Sequence, residues 1–356
     1  MGTDYENKGA LAATIVVAAS DSLNVGAANY VCDGVADQVE IQAALDALPV
    51  SGGKVVLLDG TYNIEVSLSL NSYQTLKGQG RNTILTTTTI DVDIVTAVGG
   101  AGTELTGIVL ADLCVDGNAG GVVNDIGVFF SYVDWGIISN VWSINNGENG
   151  IYANVCDYLR ITSCVARSSG GDGFYMYASF YCSIVGCLAE NNTGYGIILR
   201  GSTHCSVSGN VSEGNASGIY AWGNDNSITG NVCRNNTGNG IYVQASRVSV
   251  VGNTCEASDT INIYIFRSSY CVVAGNCANN ATGAGEGITL RGDATGDCDY
   301  NTVTGNVCTG NADRGIELIG GAFTEKNIIL GNQLLGNGTA LADGGLNTVI
   351  AHNVTV

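Results

Sequence analysis

The sequence predicts an all-β solenoid: a single right-handed parallel β-helix of roughly a dozen coils with a short N-terminal capping α-helix. Three observations predict it. A segment of the form Gly-Ile-Tyr recurs with starts at Gly150, Gly173, Gly196, Gly218, Gly240, Gly287 and Gly315, and a degenerate copy begins at Asn262. Its spacing of about 22 to 28 residues is the period of stacked repeats. Among 356 residues there is one proline, Pro49, as expected where nearly every backbone N–H must join a ladder. A Gly-Asn pair recurs once per repeat, at Gly209-Asn210, Gly230-Asn231, Gly252-Asn253, Gly275-Asn276, Gly305-Asn306 and Gly331-Asn332.

The elements follow in chain order. Residues 1–30 form an N-terminal extension with a first strand, and residues 31–356 form the solenoid. Within it, 31–64 is the cap, 65–149 holds early coils with longer loops, and 150–356 holds the regular repeats. Asp37 followed by Glu40 has the spacing of a capping box, and Ile41, Ala44, Leu45 and Leu48 make one apolar face of a helix over 37–48. Pro49 and Gly52-Gly53 stop it, and a strand, a turn and Thr61-Tyr62-Asn63-Ile64 follow. A helix here covers ladder edges that would otherwise invite aggregation.

Asp33-Gly34, Asp37, Ile41-Gln42, Ala44-Leu45-Asp46, Gly52-Gly53, Val55 and Gly60-Thr61-Tyr62 together resemble the N-terminal cap of the pectate-lyase-like (pectin-lyase-like) right-handed parallel β-helix superfamily. With the repeats, the resemblance spans most of the chain. It implies the fold but no single activity, because the superfamily holds lyases, hydrolases, epimerases, tailspikes and non-catalytic members. The N-T-D, G-x-D-D and G-H-G runs and the D-P-H run of its enzymes are not found, so no family catalytic residue transfers.

Thirteen cysteines sort into the same repeat. Cys182, Cys205, Asn226, Val248, Cys271, Asn301 and Asn327 form one column, and Ala189, Ser212, Cys233, Cys255, Ala278 and Cys308 another; both are expected to point inward. Buried free thiols are the preferred reading. Rungs about 4.8 Å apart also allow bridges at Cys182–Cys205 and Cys233–Cys255. The Gly-Asn column is a stacked amide ladder at a bend. Sequons at Asn191, Asn215, Asn236 and Asn280 are by-products of this Asn-rich pattern.

What remains faces outward. One column is Tyr152, Tyr175, Ile198, Tyr220, Tyr242, Tyr264, Thr289 and Glu317; its neighbour is Asn154, Tyr177, Arg200, Trp222, Gln244, Phe266, Arg291 and Ile319. Exposed rings beside planar donors suit sugars, which stack their apolar faces and offer hydroxyls and carboxylates to Arg, Gln and Asn. Polysaccharide is therefore the expected partner, bound by Tyr152, Tyr175, Tyr177, Tyr220, Trp222, Tyr242, Gln244, Tyr264 and Phe266. Burial of this face in a homotrimer and plain ring stacking are the alternatives.

Lyase or glycoside hydrolase chemistry stands beside a non-catalytic structural or adhesive stalk. For β-elimination, Arg200 and Arg291 are candidates to neutralise a uronate, with Tyr177, Tyr220, His204 or an arginine as base. For hydrolysis, Asp172 and Asp225 are the nearest carboxylates, two rungs or roughly 10 Å apart. Asp293, Asp297 and Asp299 are candidate calcium ligands. A net charge of −19 excludes nucleic acid, and no apolar run inserts into a membrane. An extracellular or cell-surface address is expected, and MGTDYENKGA does not read as a signal peptide.

Overall fold

The residue that follows each repeat glycine lands on its counterpart one coil away. Ile151 pairs with Phe174, Phe174 with Ile197, and the column continues through Ile219, Ile241, Ile263, Ile288 and Ile316, all fully buried. A computed structural model describes residues 14–89, 91–118, 125–283 and 285–355. In it every pairing between named strands is parallel and consecutive coils stack in register, which makes the chain a parallel β-solenoid. One face is a 12-stranded sheet running from Leu68–Ser69 to Thr339–Leu346. In each regular coil the other two faces are short strands such as Ser206–Ser208 and Val211–Glu213, each paired to its equivalents above and below.

The glycine of the repeat is required by close approach. A Cβ on Gly150 would lie 2.7 Å from the carbonyl oxygen of Gly173, and one on Gly173 would lie 2.7 Å from that of Gly196. The corners use a left-handed residue instead, such as Gly209 at φ 65° or Gly230 at φ 64°. The residue after each corner turns inward, which places the Asn column in the core. Asn210 N donates to Asn231 Oδ1 at 3.0 Å, and Asn210 Nδ2 donates to Ile184 O and Asn231 Oδ1, both at 2.9 Å. The same link runs from Asn231 through Asn253, Asn276, Asn306 and Asn332 to Asn353. Each amide thereby satisfies buried backbone that a tight corner would leave unpaired.

A second ladder, Asn192–Asn215–Asn236 with Asn311–Asn337, lies five residues further along the coil. The sequence columns above did not include it. Asn215 is buried in this ladder, so its sequon offers no accessible side chain; Asn236 is buried too and is not an acceptor, since the Asn-x-Thr run there begins at Asn235.

All thirteen cysteines are free thiols, buried except for the half-buried Cys277. Cys182 Sγ donates to Cys156 O at 3.2 Å, and Cys205 N donates to Asn226 Oδ1 at 2.8 Å. Thiol and amide thus do the same corner work in one column. The Cys182–Cys205 and Cys233–Cys255 bridges are not formed. Burial pushes the Cys271 thiol up to about 11, so it is neutral at physiological pH.

At the N-terminal end, Thr14–Ala18 pairs with Gly53–Leu57. Helix α1 spans Gln38–Asp46 and buries Ile41, Ala44 and Leu45 against the first coils. The capping box expected from Asp37 is replaced by a different device. Asp37 makes no side-chain cap; its carboxylate accepts Gly34 N at 2.8 Å and Asn63 N at 2.7 Å. It fastens the helix start to the strand Gly60–Asn63 rather than to its own first turn.

Candidate functional site

Alternation along each strand of the 12-stranded sheet puts the tyrosine of every Gly-Ile-Tyr repeat on the outer surface. With rungs in register, successive rings sit one above another. Tyr152 stacks on Tyr175 at 4.6 Å and 6°, Tyr220 on Tyr242 at 4.7 Å and 15°, and Tyr242 on Tyr264 at 5.1 Å and 14°. The rings therefore spend their flat faces on one another. Gln244 is also engaged, since its Oε1 accepts Tyr220 Oη at 2.8 Å and Tyr242 Oη at 3.3 Å.

The stack breaks at Ile198, which sits in register between Tyr175 and Tyr220 and is only 5% exposed. Beside this gap the second column opens into a cleft of about 350 Å³ lined by Tyr177, Ala178, Arg200, Gly201 and Trp222. Tyr177 is 40% exposed and Trp222 44%. The Arg200 guanidinium lies 5.2 Å from the Trp222 ring centroid, and its Nη1 donates to Tyr175 Oη at 3.4 Å. Arg200 makes no ion pair among the described residues, whereas Arg167, Arg234, Arg247, Arg267 and Arg314 each do. Further along the column, Phe266 packs on Tyr264 at 5.4 Å and under the Arg267 guanidinium at 4.4 Å. Arg291, in register with Phe266, is exposed.

The other candidates separate. Asp172 precedes the strand Phe174–Tyr177, and its Oδ1 accepts Tyr195 N at 2.6 Å. Burial raises its pKa. Asp225 follows the strand Ser217–Trp222, is held by Arg247 at 2.6 and 2.8 Å, and has its pKa lowered by that guanidinium. The two carboxylates lie at opposite ends of the sheet as well as two rungs apart, roughly 15 Å or more along the strand direction alone. Counting rungs gave only the axial distance, and the structure does not bring them together as a hydrolytic pair.

Burial pushes Tyr152 and Tyr220 up to about 12, which leaves little phenolate at neutral pH. Tyr220 is thus poorly suited to be a base. His204 sits off the face, at a corner, 5.0 Å from the Tyr181 ring. Asp293 is paired with Arg267 at 2.6 Å, Asp299 accepts Glu325 N at 2.6 Å, and Asp297 is exposed. Asp293 and Asp299 are engaged by different partners, and the three calcium candidates do not form a donor cluster among the described residues. Among the described residues, the one group of three donors within 4.8 Å is Cys32, Asp37 and Glu40, in the cap.

Sequence reasoning missed a second aromatic column. Trp135, Tyr158 and Tyr181 stack at 4.1 and 5.2 Å, and Tyr270 stacks on Tyr300 at 5.0 Å. All five are exposed and hold left-handed φ between 56° and 60°. The signal was present, because each of Tyr181, Tyr270 and Tyr300 immediately precedes a core residue of the cysteine column. Tyr195, whose ring is 5.0 Å from Tyr220, was also missed.

Residues 76–212 and 126–255, together half of the chain, match the family model "Right handed beta helix region". Residues 196–355 match the model "Periplasmic copper-binding protein (NosD)". No curated protein matches the chain. Among solved structures, the A-module of mannuronan C-5 epimerase AlgE6 of Azotobacter vinelandii is similar, with TM-score 0.82 and 22% identity over 91% of this chain and 96% of that one. A variant of the periplasmic alginate epimerase AlgG gives TM-score 0.67 and 14% identity over 84% and 79%. The Dettilon tailspike protein gives 0.61 and 17% over 87% and 66%. At these identities the likeness is one of fold.

Copper takes imidazole and thiolate donors. In the segment matched by the copper-binding model, His204 and His352 lie on different corners, every thiol but the half-buried Cys277 sits in the core, and no three donors of that segment converge among the described residues. The residues do not fit a copper centre.

Proposed function

The chain belongs to the right-handed β-helix family, and we propose that it engages an anionic polysaccharide along its outer aromatic face, centred on the Tyr177–Arg200–Trp222 cleft. One observation carries the reading. On a molecule of net charge −19, Arg200 is presented between two exposed rings with no carboxylate among the described residues to neutralise it. A guanidinium so placed is a ready partner for a uronate carboxylate, with the Trp222 ring edge and Tyr177 beside it for the sugar body. The similar structures named for alginate epimerases and a tailspike are in keeping with a saccharide partner and with an extracytoplasmic address. No helix among the described residues is long and apolar enough to cross a membrane.

A non-catalytic stalk is the second reading, favoured by the way Tyr152–Tyr175 and Tyr220–Tyr242–Tyr264 consume their own faces. A side-by-side homotrimer would cover the same surface. Calcium through Asp293, Asp297 and Asp299 would need Asp293 to leave Arg267 and Asp299 to leave the Glu325 N–H.

The test is binding by calorimetry to polymannuronate, polyguluronate, polygalacturonate and a neutral glucan. The reading expects binding to at least one polyuronate, none to the neutral polymer, and loss in Arg200→Ala and Trp222→Ala. Binding indifferent to both substitutions would place the contact elsewhere. No binding, together with a trimer by light scattering, would leave the stalk.

A further inference from the structure

The helix cap gathers side chains that the outer face does not use. The strand Tyr30–Val31 pairs with Thr14–Ala18, and Cys32, next in the chain, donates its N–H to Ala18 O at 2.9 Å. The Cys32 side chain is 2% exposed and is directed at the start of α1, where its Sγ lies 3.8 Å from Asp37 O. Asp37 and Glu40 stand three residues apart, so their carboxylates share one side of that first turn. One donor atom from each of Cys32, Asp37 and Glu40 lies within 4.8 Å of the other two.

This is not an ordinary solvated helix start. Cys32 is buried, and Asp37 has no exposed surface at all. Glu40 Oε2 is itself buried and has no hydrogen-bond partner, a costly state for a carboxylate oxygen. Asp37 offers Glu40 no donor. Its two oxygens accept Gly34 N and Asn63 N, and each keeps a further lone pair. Neither carboxylate makes an ion pair among the described residues. Apart from one thiol proton, the side-chain atoms that meet here all offer lone pairs, which is the surrounding a cation requires.

We propose that Cys32, Asp37 and Glu40 bind a zinc ion, which clamps the strand entering the cap to the first turn of α1. The donor set selects the metal. Carboxylates alone suit calcium or magnesium and thiolates alone suit copper(I), whereas one thiolate with two carboxylates suits a borderline ion such as Zn2+. Zinc holds sulfur at about 2.3 Å and carboxylate oxygen at about 2.0–2.2 Å, which sets tetrahedral donors roughly 3.5 Å apart. The three side chains reach that spacing by closing in by about 1 Å. Glu40 is half-buried, which leaves an entry path and a fourth position for water. On binding, the Cys32 Sγ–H bond breaks, a Zn–Sγ bond forms and the proton passes to solvent, with no change of oxidation state. The three donors meet only when strand, turn and helix are in place, so metal affinity becomes stability of the cap. The assignment is independent of the saccharide reading.

The experiment strips the whole chain of metal with a chelator under reducing conditions, then reloads it with Zn2+, or with Co2+ as a spectroscopic probe. Elemental analysis after gel filtration is expected to find a single equivalent of zinc, and the thermal midpoint to rise with Zn2+ concentration. Cobalt is expected to give a thiolate-to-metal charge-transfer band in the near ultraviolet and the intense visible bands of a four-coordinate ion. Cys32→Ser is expected to abolish the charge-transfer band. Glu40→Gln is expected to keep it while weakening Zn2+ affinity by at least about tenfold. Both substitutions leave Asp37 and its backbone bonds untouched, so far-ultraviolet dichroism should match wild type. Cys277→Ser, which removes the half-buried thiol, is expected to change nothing. Wild-type protein that retains no zinc overturns the assignment, as does a charge-transfer band that survives Cys32→Ser or is lost in Cys277→Ser. Undiminished affinity in Glu40→Gln overturns it however well Cys32→Ser folds.

Discussion

Two stretches of one outward face carry the same repeat and do different things with it. From Tyr220 to Tyr264 the rings form an unbroken stack, with Gln244 tying two phenols. From Tyr175 to Tyr220 the stack is interrupted by Ile198, and there Tyr177, Arg200 and Trp222 stand open to solvent. The contrast teaches that an aromatic ladder is not in itself a sugar platform. Rings about 4.8 Å apart in register are close enough to saturate one another, whereas Tyr177, Arg200 and Trp222 in the neighbouring outward column keep faces and a charge open to solvent.

The corners repeat the lesson. Gly209, Gly230, Gly252 and Gly275 take the left-handed conformation at little cost, while Trp135, Tyr158 and Tyr181 take it with bulky side chains at about 1–2 kcal/mol each. Stacking of those rings at 4.1 and 5.2 Å offsets part of that cost.

The contrast between open and closed stretches can be broken in four ways. Arg200→Ala has the largest expected effect, about a tenfold to hundredfold loss of polyuronate affinity, since it removes a charge-assisted hydrogen bond. Calorimetry measures it, and the thermal midpoint should stay near wild type because the side chain is exposed. Ile198→Tyr completes the ladder across the gap. It is expected to lower affinity about tenfold by crowding Arg200 on the same strand, and to lower the thermal midpoint, because Ile198 is covered and the Tyr195 ring already packs 5.0 Å from Tyr220. If it leaves affinity unchanged, the gap is not what makes the site.

Tyr242→Ala opens a gap in the closed stretch. It is expected to destabilise the protein by about 2 kcal/mol in denaturant titration, with affinity unaltered. Equal losses of affinity in Tyr242→Ala and Arg200→Ala would erase the distinction between the stretches.

The smallest effect concerns Asp172, whose folded pKa burial raises above its unfolded value. The folded state then holds its proton to higher pH than the unfolded state does. Stability attributable to this group falls as pH rises through that window, and the penalty is fully present at neutral pH. Asp172→Asn keeps an acceptor for Tyr195 N–H without the charge. It is expected to raise the thermal midpoint at neutral pH, with the gain fading as pH drops through the carboxylate range. An undiminished gain at low pH would show that the charge is not the cause.

Much of this was legible in residue order. The inward columns of Ile151 to Ile316, the cysteines and the first Asn ladder all follow from alternation within a short strand, a property of local covalent geometry. The outward columns were ordered correctly for the same reason, with Tyr175, Ile198 and Tyr220 consecutive. The second Asn ladder was equally periodic but lay outside the columns compared. Asp37 was misread because a side chain that could cap its own helix found donors on Gly34 and Asn63 instead. Nothing local ranks those choices.

By itself, then, the sequence determined the solenoid, its register and which residues enter the core, because a repeat of near-constant length leaves one way to stack. Only the tertiary structure decided which outward residues are open. Tyr177, Arg200 and Trp222 come from three successive coils and meet only because those coils stack in register. It also set Asp172 and Asp225 at opposite ends of the sheet, a separation that counting coils does not contain. Contacts between coils are three-dimensional distances, and a one-dimensional period specifies only their axial part.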